Sequence, residues 1–164
     1  MKQHEQSFNS KILLFGEYSI IQDSMGLTLP YNEFKGKLTY DTAAINEHFV
    51  TESNDHLNDF ANYLQHLIDT QQLAVVFDIQ AFKADIKKGI YFQSSIPQGF
   101  GVGSSGALVA AVYGKYVAHK IDFENAPNKQ AILELKAVFA KMESHFHGNS
   151  SGVDPLICYL NLPL

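Results

Sequence analysis

The sequence predicts a single mixed α+β domain, in which most strands come early and two helices come late. Short apolar runs bounded by polar residues, glycine or proline occur before residue 97 and are typical of strands. After residue 104, apolar residues instead recur at spacings of three and four, which is typical of helices. The 164 residues are 46% hydrophobic, which is sufficient for one compact core.

The first elements are predicted from local patterns between residues 11 and 70. Residues 11–15 form a short apolar run that ends at a glycine, as expected of a buried strand reaching the edge of a sheet. Brief strand-like segments follow at residues 38–40 and 49–51, although Asn, Asp and Glu interrupt them. Asp55 is a suitable N-cap for a helix that extends to about residue 70 and carries one apolar face.

The remaining elements lie in the second half of the chain. Residues 73–79 are rich in β-branched side chains and residues 89–96 alternate between two faces, so both segments are predicted strands. Apolar spacing predicts helices at residues 104–119 and 129–146, and Gly148 is a natural stop for the second helix. The apolar segment that closes the chain has no polar tail, from which we expect the chain to be part of something longer.

Composition and charge exclude several classes of partner. The formal net charge is -5 and the lysines are scattered, so the chain lacks the basic surface that nucleic acid requires. No apolar run approaches the roughly 20 residues that span a bilayer, and the polar N-terminus has no signal-peptide core. We therefore expect a soluble cytoplasmic protein with no membrane partner. The single cysteine, Cys158, lies in an apolar run and is expected to be a core residue.

A glycine-rich turn between a predicted strand and a predicted helix is the clearest functional signal. Residues 96–108 read Ile-Pro-Gln-Gly-Phe-Gly-Val-Gly-Ser-Ser-Gly-Ala-Leu and contain four glycines and two serines. Glycines let a polyphosphate approach the main chain, and free N–H groups with the helix dipole supply positive charge at a helix start. The turn therefore predicts a site for the phosphates of a nucleotide.

Two other interpretations of this turn stay open. Residues 101–106 also satisfy the G-x-G-x-x-G pattern of dinucleotide-binding sites, but no clear second strand ending in an acidic residue follows. A purely structural glycine turn is the second alternative. The Walker pattern fails because no Gly-Lys-Ser/Thr closes the loop.

Three segments resemble motifs of one enzyme family. Residues 97–107 resemble the P-x-x-x-G-L-G-S-S-A-A signature of the GHMP kinases, named for galactose, homoserine, mevalonate and phosphomevalonate; Val102 replaces leucine and Gly106 replaces alanine, two mild departures. Residues 9–21 are similar to the family's first motif, although its usual Pro-Gly is absent. The resemblance implies the α+β fold of the GHMP kinase N-terminal domain, related to the second domain of ribosomal protein S5.

The third segment, residues 142–154, reads Met-Glu-Ser-His-Phe-His-Gly-Asn-Ser-Ser-Gly-Val-Asp and resembles a motif of the mevalonate kinases. By this resemblance Asp154 is the general base and Lys11 is its electrostatic partner, while Ser105 and Glu143 hold Mg²⁺. The phosphates of ATP are expected to contact the loop residues Pro97, Gly99, Gly101, Val102, Gly103, Ser104, Ser105 and Gly106. The acceptor alcohol is expected to contact Glu17, Tyr18 and His147.

Each of these side chains also has a plainer interpretation. Lys11 could be an exposed lysine at a strand start, Glu143 an exposed helix acid, and Asp154 a turn residue before a proline. His145 and His147 invite a zinc site together with Glu143, but no third ligand follows at a suitable spacing. Histidines at a helix end commonly interact with the helix dipole instead.

The resemblance implies an ATP-dependent kinase that converts mevalonate to 5-phosphomevalonate. Phosphomevalonate or a sugar is the alternative acceptor, since the Gly-Glu-Tyr at residues 16–18 is also common in phosphomevalonate kinases. A non-catalytic nucleotide-binding module is a separate hypothesis, and an RNA-binding domain is disfavoured by the net charge of -5. Residues 1–164 would be the N-terminal ATP-binding and catalytic domain, with the family's C-terminal domain outside this chain. A homodimer is left open.

Overall fold

The computed structural model describes residues 6–15, 26–42, 46–120 and 128–163, which form three strands and five helices. This content confirms the predicted α+β class. None of the helices in these ranges combines the length and apolar character needed to cross a membrane. In chain order the elements are β1 (Ser7–Phe15), β2 (Leu27–Thr39), α1 (Glu47–Asp69), α2 (Ile79–Lys87), β3 (Tyr91–Ser94), α3 (Ser104–Tyr116), α4 (Lys129–His147) and α5 (Val153–Leu160).

The three strands form one antiparallel sheet in the order β1-β2-β3. Lys11 of β1 pairs with Pro30 of β2, and Leu38 of β2 pairs with Phe92 of β3. The register of β1 against β2 shifts after Asn9, as at a β-bulge. Within the described ranges β1 is thus an edge strand, and one side of its backbone is available to the loop that precedes α3.

Helix α1 is longer than the sequence pattern predicts. It begins at Glu47 because Asn46 is its N-cap, whose side chain accepts a hydrogen bond from the His48 N–H at 2.9 Å. The prediction of Asp55 as N-cap is therefore wrong, and the segment 49–51 predicted as a strand lies in the first turns of this helix. The apolar face is buried as expected, through Leu57, Phe60, Ala61, Leu64 and Leu67.

The predicted strand at residues 73–79 is also wrong. Within this segment Phe77 forms an isolated bridge with Val117, and Ile79 already starts helix α2. Asp78 caps α2, because its side chain accepts a hydrogen bond from the Ala81 N–H at 2.9 Å. The capping aspartate therefore outweighs the β-branched residues that precede it.

The other elements agree better with the sequence. Strand β3 lies within the predicted segment 89–96, whereas β2 begins at Leu27 rather than at residue 38. Helix α4 ends before Gly148, whose φ of 71° suits a helix stop, as predicted. The apolar segment after residue 152 forms α5, a helix that the pattern did not predict.

Helix α3 is central to the core, since it contacts β1, β2, α4 and α5. The described core combines aliphatic side chains with several buried aromatic rings, including those of Phe60, Phe82, Tyr113 and Phe139. Cys158 of α5 is buried as predicted, and burial raises the pKa of its thiol. This packing brings the starts of α3 and α5 close to strand β1, and the end of α4 close to the start of α3.

Candidate active site

The glycine-rich segment forms the loop between β3 and α3. Gly99, Gly101 and Gly103 have φ angles of 80°, 66° and 86°, which glycine adopts at little steric cost. Gly103 is the N-cap of α3, and Ser104 is the first residue of the helix, as predicted. The first N–H groups of a helix have no acceptor within the helix, so this end of α3 is suited to phosphate oxygens.

Strand β1 holds this loop in place. The Lys11 N–H donates a hydrogen bond to the Val102 carbonyl oxygen at 3.0 Å. A Cβ atom added at Gly103 would lie 2.8 Å from Cγ of Lys11, so the lysine side chain passes the loop at a distance that requires glycine there. The first motif and the glycine-rich loop therefore form one packed unit.

Lys11 and Asp154 form an ion pair beside the loop. The Lys11 Nζ and Asp154 Oδ2 atoms are 2.9 Å apart, and the two side chains are 8% and 34% exposed, respectively. Asp154 lies in the first turn of α5, where the helix dipole favours a negative charge. Lys11 is thus not an exposed strand-start lysine, and Asp154 belongs to a helix rather than to a turn.

A second polar cluster surrounds Glu143, which is buried near the end of α4. Ser105 donates a hydrogen bond to its Oε1 atom at 3.1 Å, and Ser150 donates to its Oε2 atom. The Nε2 atom of His147 lies 2.9 Å from Oγ of Ser105. Burial raises the pKa of Glu143 and the negative charge of Asp154 adds to this effect, whereas the two serines and His147 oppose it.

The oxygen atoms of Ser105 and Glu143 suit a hard divalent cation. Mg²⁺ prefers a few carboxylate and hydroxyl oxygens together with phosphate oxygens, and these two side chains meet next to the loop. In the described part of the chain, no three His, Cys, Asp or Glu side chains are grouped to hold a metal ion. His145 instead packs against the rings of Phe60 and Tyr63, at centroid distances of 5.3 and 5.1 Å, and burial lowers its pKa.

An open pocket of about 880 Å³ is lined by the loop and by the start of α3. Helix α1 contributes Phe49, Ser53 and His56 to its lining, and Asp154 and His147 also face it. Apolar side chains from β3, α3 and α4 complete the lining. Its volume and its mixture of apolar wall and convergent polar groups are typical of a site for a small molecule.

Most of the predicted site residues meet at this pocket. Gly106 does not line it, because this glycine is buried in α3 and faces the backbone of Asp154 and Pro155. Glu17 and Tyr18 lie outside the described residues. The predicted residues that line the pocket are Pro97, Gly99, Gly101, Val102, Gly103, Ser104, Ser105, His147 and Asp154.

Two features of the site were not predicted from the sequence. Ser150 reaches Glu143 only because the chain turns back after α4, a turn that spacing alone does not reveal. Ser53 of α1 accepts a hydrogen bond from the Phe92 N–H at 3.0 Å and so joins α1 to β3 beside the pocket. Helix α1 carries no motif that would mark this role, since its polar face resembles any solvated surface.

Comparison with known proteins gives a finding about the family. A model of the GHMP kinases N-terminal domain matches residues 62–161, which is more than half of the chain. The match includes the glycine-rich loop, Glu143 and Asp154, whereas Lys11 precedes it. No curated protein matches this chain. On the strength of the family match and of the α+β fold that accompanies it, this chain belongs to the GHMP kinases and carries their N-terminal domain.

Proposed function

We propose that this chain is the catalytic part of an ATP-dependent kinase that phosphorylates a hydroxyl of a small alcohol, with mevalonate as the favoured acceptor. The observation that carries the proposal is the ion pair between Lys11 and Asp154, whose charged atoms are 2.9 Å apart beside the glycine-rich loop. A carboxylate next to a cation, at the edge of a phosphate-binding loop, is an arrangement that suits phosphoryl transfer to an alcohol.

In this reaction Asp154 accepts the proton of the acceptor hydroxyl. Its side chain is 34% exposed and faces the pocket, so a bound alcohol can reach it. As the proton moves to Asp154, the hydroxyl oxygen bonds to the γ-phosphorus of ATP, the bond from that phosphorus to the β–γ bridging oxygen breaks, and ADP leaves. The ammonium group of Lys11 stabilises the negative charge that develops on the attacking oxygen.

The phosphates of ATP contact the loop and the start of α3. Gly99, Gly101 and Gly103 allow the phosphates to approach the main chain, and the first N–H groups of α3 donate to them. Ser105 and Glu143 would hold Mg²⁺, which neutralises charge on the β- and γ-phosphates when it is bound.

Mevalonate is favoured as the acceptor by the motif that ends at Asp154. The segment His-Gly-Asn-Ser-Ser-Gly-Val-Asp at residues 147–154 resembles that of the mevalonate kinases. Apart from Lys11, whose ammonium group is paired with Asp154, no described lysine or arginine is found at the pocket, which favours an acceptor without a phosphate group of its own. His147 lies at this pocket, where it can contact the acceptor or hold Ser105.

The test is an ADP-release assay on the full-length protein with Mg²⁺·ATP and, in turn, mevalonate, phosphomevalonate and galactose. Asp154→Ala is measured beside Asp69→Ala, a matched control that removes an exposed carboxylate at the far end of α1. We expect mevalonate-dependent release that Asp154→Ala lowers by at least about 10²-fold and that Asp69→Ala leaves unchanged.

Each result of this assay has a definite meaning. Release with phosphomevalonate or galactose instead of mevalonate would keep the kinase but change its acceptor. ATP binding without release for any of the three alcohols would favour the non-catalytic nucleotide-binding module. Full activity of Asp154→Ala would refute the assignment of Asp154 as the base.

A further inference from the structure

Gly106 lies where helix α3 touches the start of helix α5. This residue is buried, and it faces α5 rather than the pocket. A Cβ atom added at Gly106 would lie 2.9 Å from the carbonyl carbon of Asp154 and 2.9 Å from the nitrogen of Pro155. Both neighbours are backbone atoms, so a rotamer change cannot relieve the contact and the helix itself would have to move.

On its opposite side, the first turn of α5 packs just as closely against the backbone of α4. Gly152 is the N-cap of α5 with a φ of 74°, and a Cβ atom there would lie 2.6 Å from the Ala140 nitrogen in α4. The first turn of α5 is therefore fixed between α3 and α4 by two backbone contacts that only glycine permits. Asp154 belongs to this first turn, so its carboxylate moves with it.

We propose that Gly106 is a positioning residue for Asp154. By letting α5 approach α3, it places the Asp154 carboxylate within ion-pair distance of Lys11 and at the pocket. The catalytic consequence rests on the proposed function. The sequence suggested that the replacement of the family's alanine by Gly106 is a mild departure. On this proposal it is not mild, because the backbone of α5 occupies the space that an alanine methyl group would need. An alanine at this position displaces the start of α5 by a few tenths of an ångström or more, since interiors are close-packed.

The chain offers both a matched control and an internal reporter for this displacement. Gly114→Ala introduces the same methyl group on the same helix, but its Cβ would meet the end of the Phe8 ring at 3.0 Å instead of backbone. Cys158 is the single cysteine of the chain and lies buried on α5, with its Sγ atom 3.8 Å from the Gly103 carbonyl oxygen. Its rate of labelling by a thiol reagent therefore reports how tightly α5 is held against α3.

The experiment compares wild type, Gly106→Ala and Gly114→Ala by circular dichroism, Cys158 labelling and steady-state kinetics on the full-length protein. We expect a native spectrum for all three proteins. Only Gly106→Ala should label about tenfold faster, because overpacking weakens the α3–α5 contact. Its kcat should fall about tenfold while its KM for ATP stays within about twofold, because the carboxylate is misplaced and the phosphate loop is not.

Several outcomes would overturn the proposal. Labelling of Gly106→Ala at the wild-type rate would mean that α5 has not moved, and faster labelling with an unchanged kcat would mean that its movement does not matter for catalysis. A Gly106→Ala protein that does not fold would make this contact a requirement of the core rather than a positioning device. If wild type forms no ADP with any acceptor, the proposed function fails, and the labelling rates alone still decide whether Gly106 positions α5.

Discussion

Removal of either charge from the Lys11–Asp154 pair should destabilise the fold by unequal amounts. At 2.9 Å the attraction is about 6 kcal/mol for an effective dielectric constant near 20, and much of it is offset by the desolvation of the lysine. Asp154→Ala leaves the ammonium group of a lysine side chain that is only 8% exposed without its partner, which should cost about 3 kcal/mol. Lys11→Met keeps the aliphatic stem and leaves a carboxylate that is 34% exposed at a helix N-terminus, so we expect a loss of about 1 kcal/mol.

The double variant separates this explanation from a simple loss of contacts. Lys11→Met with Asp154→Ala removes both charges, so no unpaired charge is left buried and the loss should be close to that of Lys11→Met alone. The coupling energy would then be about 3 kcal/mol. Urea unfolding followed by circular dichroism measures all four proteins at neutral pH. A larger loss for Lys11→Met than for Asp154→Ala, or a double variant whose loss equals the sum, would refute the reasoning.

Three further predictions concern the other parts of the site. Burial raises the pKa of Glu143, so the folded protein keeps the carboxyl proton at pH values where the unfolded chain has lost it. The free energy of unfolding of wild type should therefore fall relative to that of Glu143→Gln as the pH rises through this interval. Urea unfolding at a series of pH values from acidic to neutral measures this change. Ser150→Ala removes a hydrogen bond that lowers the pKa of Glu143, so this pKa should rise further in the variant. Mg²⁺·ATP binding, followed by calorimetry, should then weaken by about tenfold, and as the pH is lowered it should be lost at a higher pH than in wild type. Ser151→Ala should not change the binding. Gly103→Ala should lower the free energy of unfolding, measured by thermal unfolding, by at least about 2 kcal/mol, because its methyl group collides with Lys11 and its φ is 86°. Gly99→Ala has no neighbour within 4 Å of the added Cβ atom and should cost about 1 kcal/mol from backbone strain alone. Equal losses for the two variants would contradict the close approach of Lys11.

The loop residues that line the candidate pocket could be predicted from the sequence more readily than the first half of the fold. Loops that bind phosphate through the main chain concentrate glycines and small hydroxyl residues in a short segment, so residues 99–105 are recognisable as a candidate without knowledge of the fold. Segment 49–51 shows the opposite case. Its Phe-Val-Thr sequence favours a strand locally, yet the N-cap at Asn46 and the burial of the following apolar face place it in a helix.

Helix α5 was missed for a related reason. A proline directly after Asp154 suggests a turn, but proline is tolerated in the first turn of a helix, where its missing N–H would have no partner in any case. The close approach of α5 to Gly106 was missed because no local pattern shows which distant backbone faces a given position of a helix. The contact of Lys11 with Asp154 was expected only through the resemblance to the GHMP kinases, because local patterns do not show which distant segments meet.

The distribution of buried charge argues for catalysis over simple nucleotide binding. In the described part of the chain, the charged side chains that are buried are Lys11 and Glu143, and both lie at the glycine-rich loop. Asp154 interacts with both, since it pairs with the lysine and its charge raises the pKa of the glutamate. Buried charges of this kind are often no more stabilising than apolar residues of similar size. Glu143 would serve Mg²⁺·ATP binding as well as catalysis, but a loop that bound phosphate through its main chain would not need Lys11 beside Asp154, whereas phosphoryl transfer needs fixed charges at the reacting atoms.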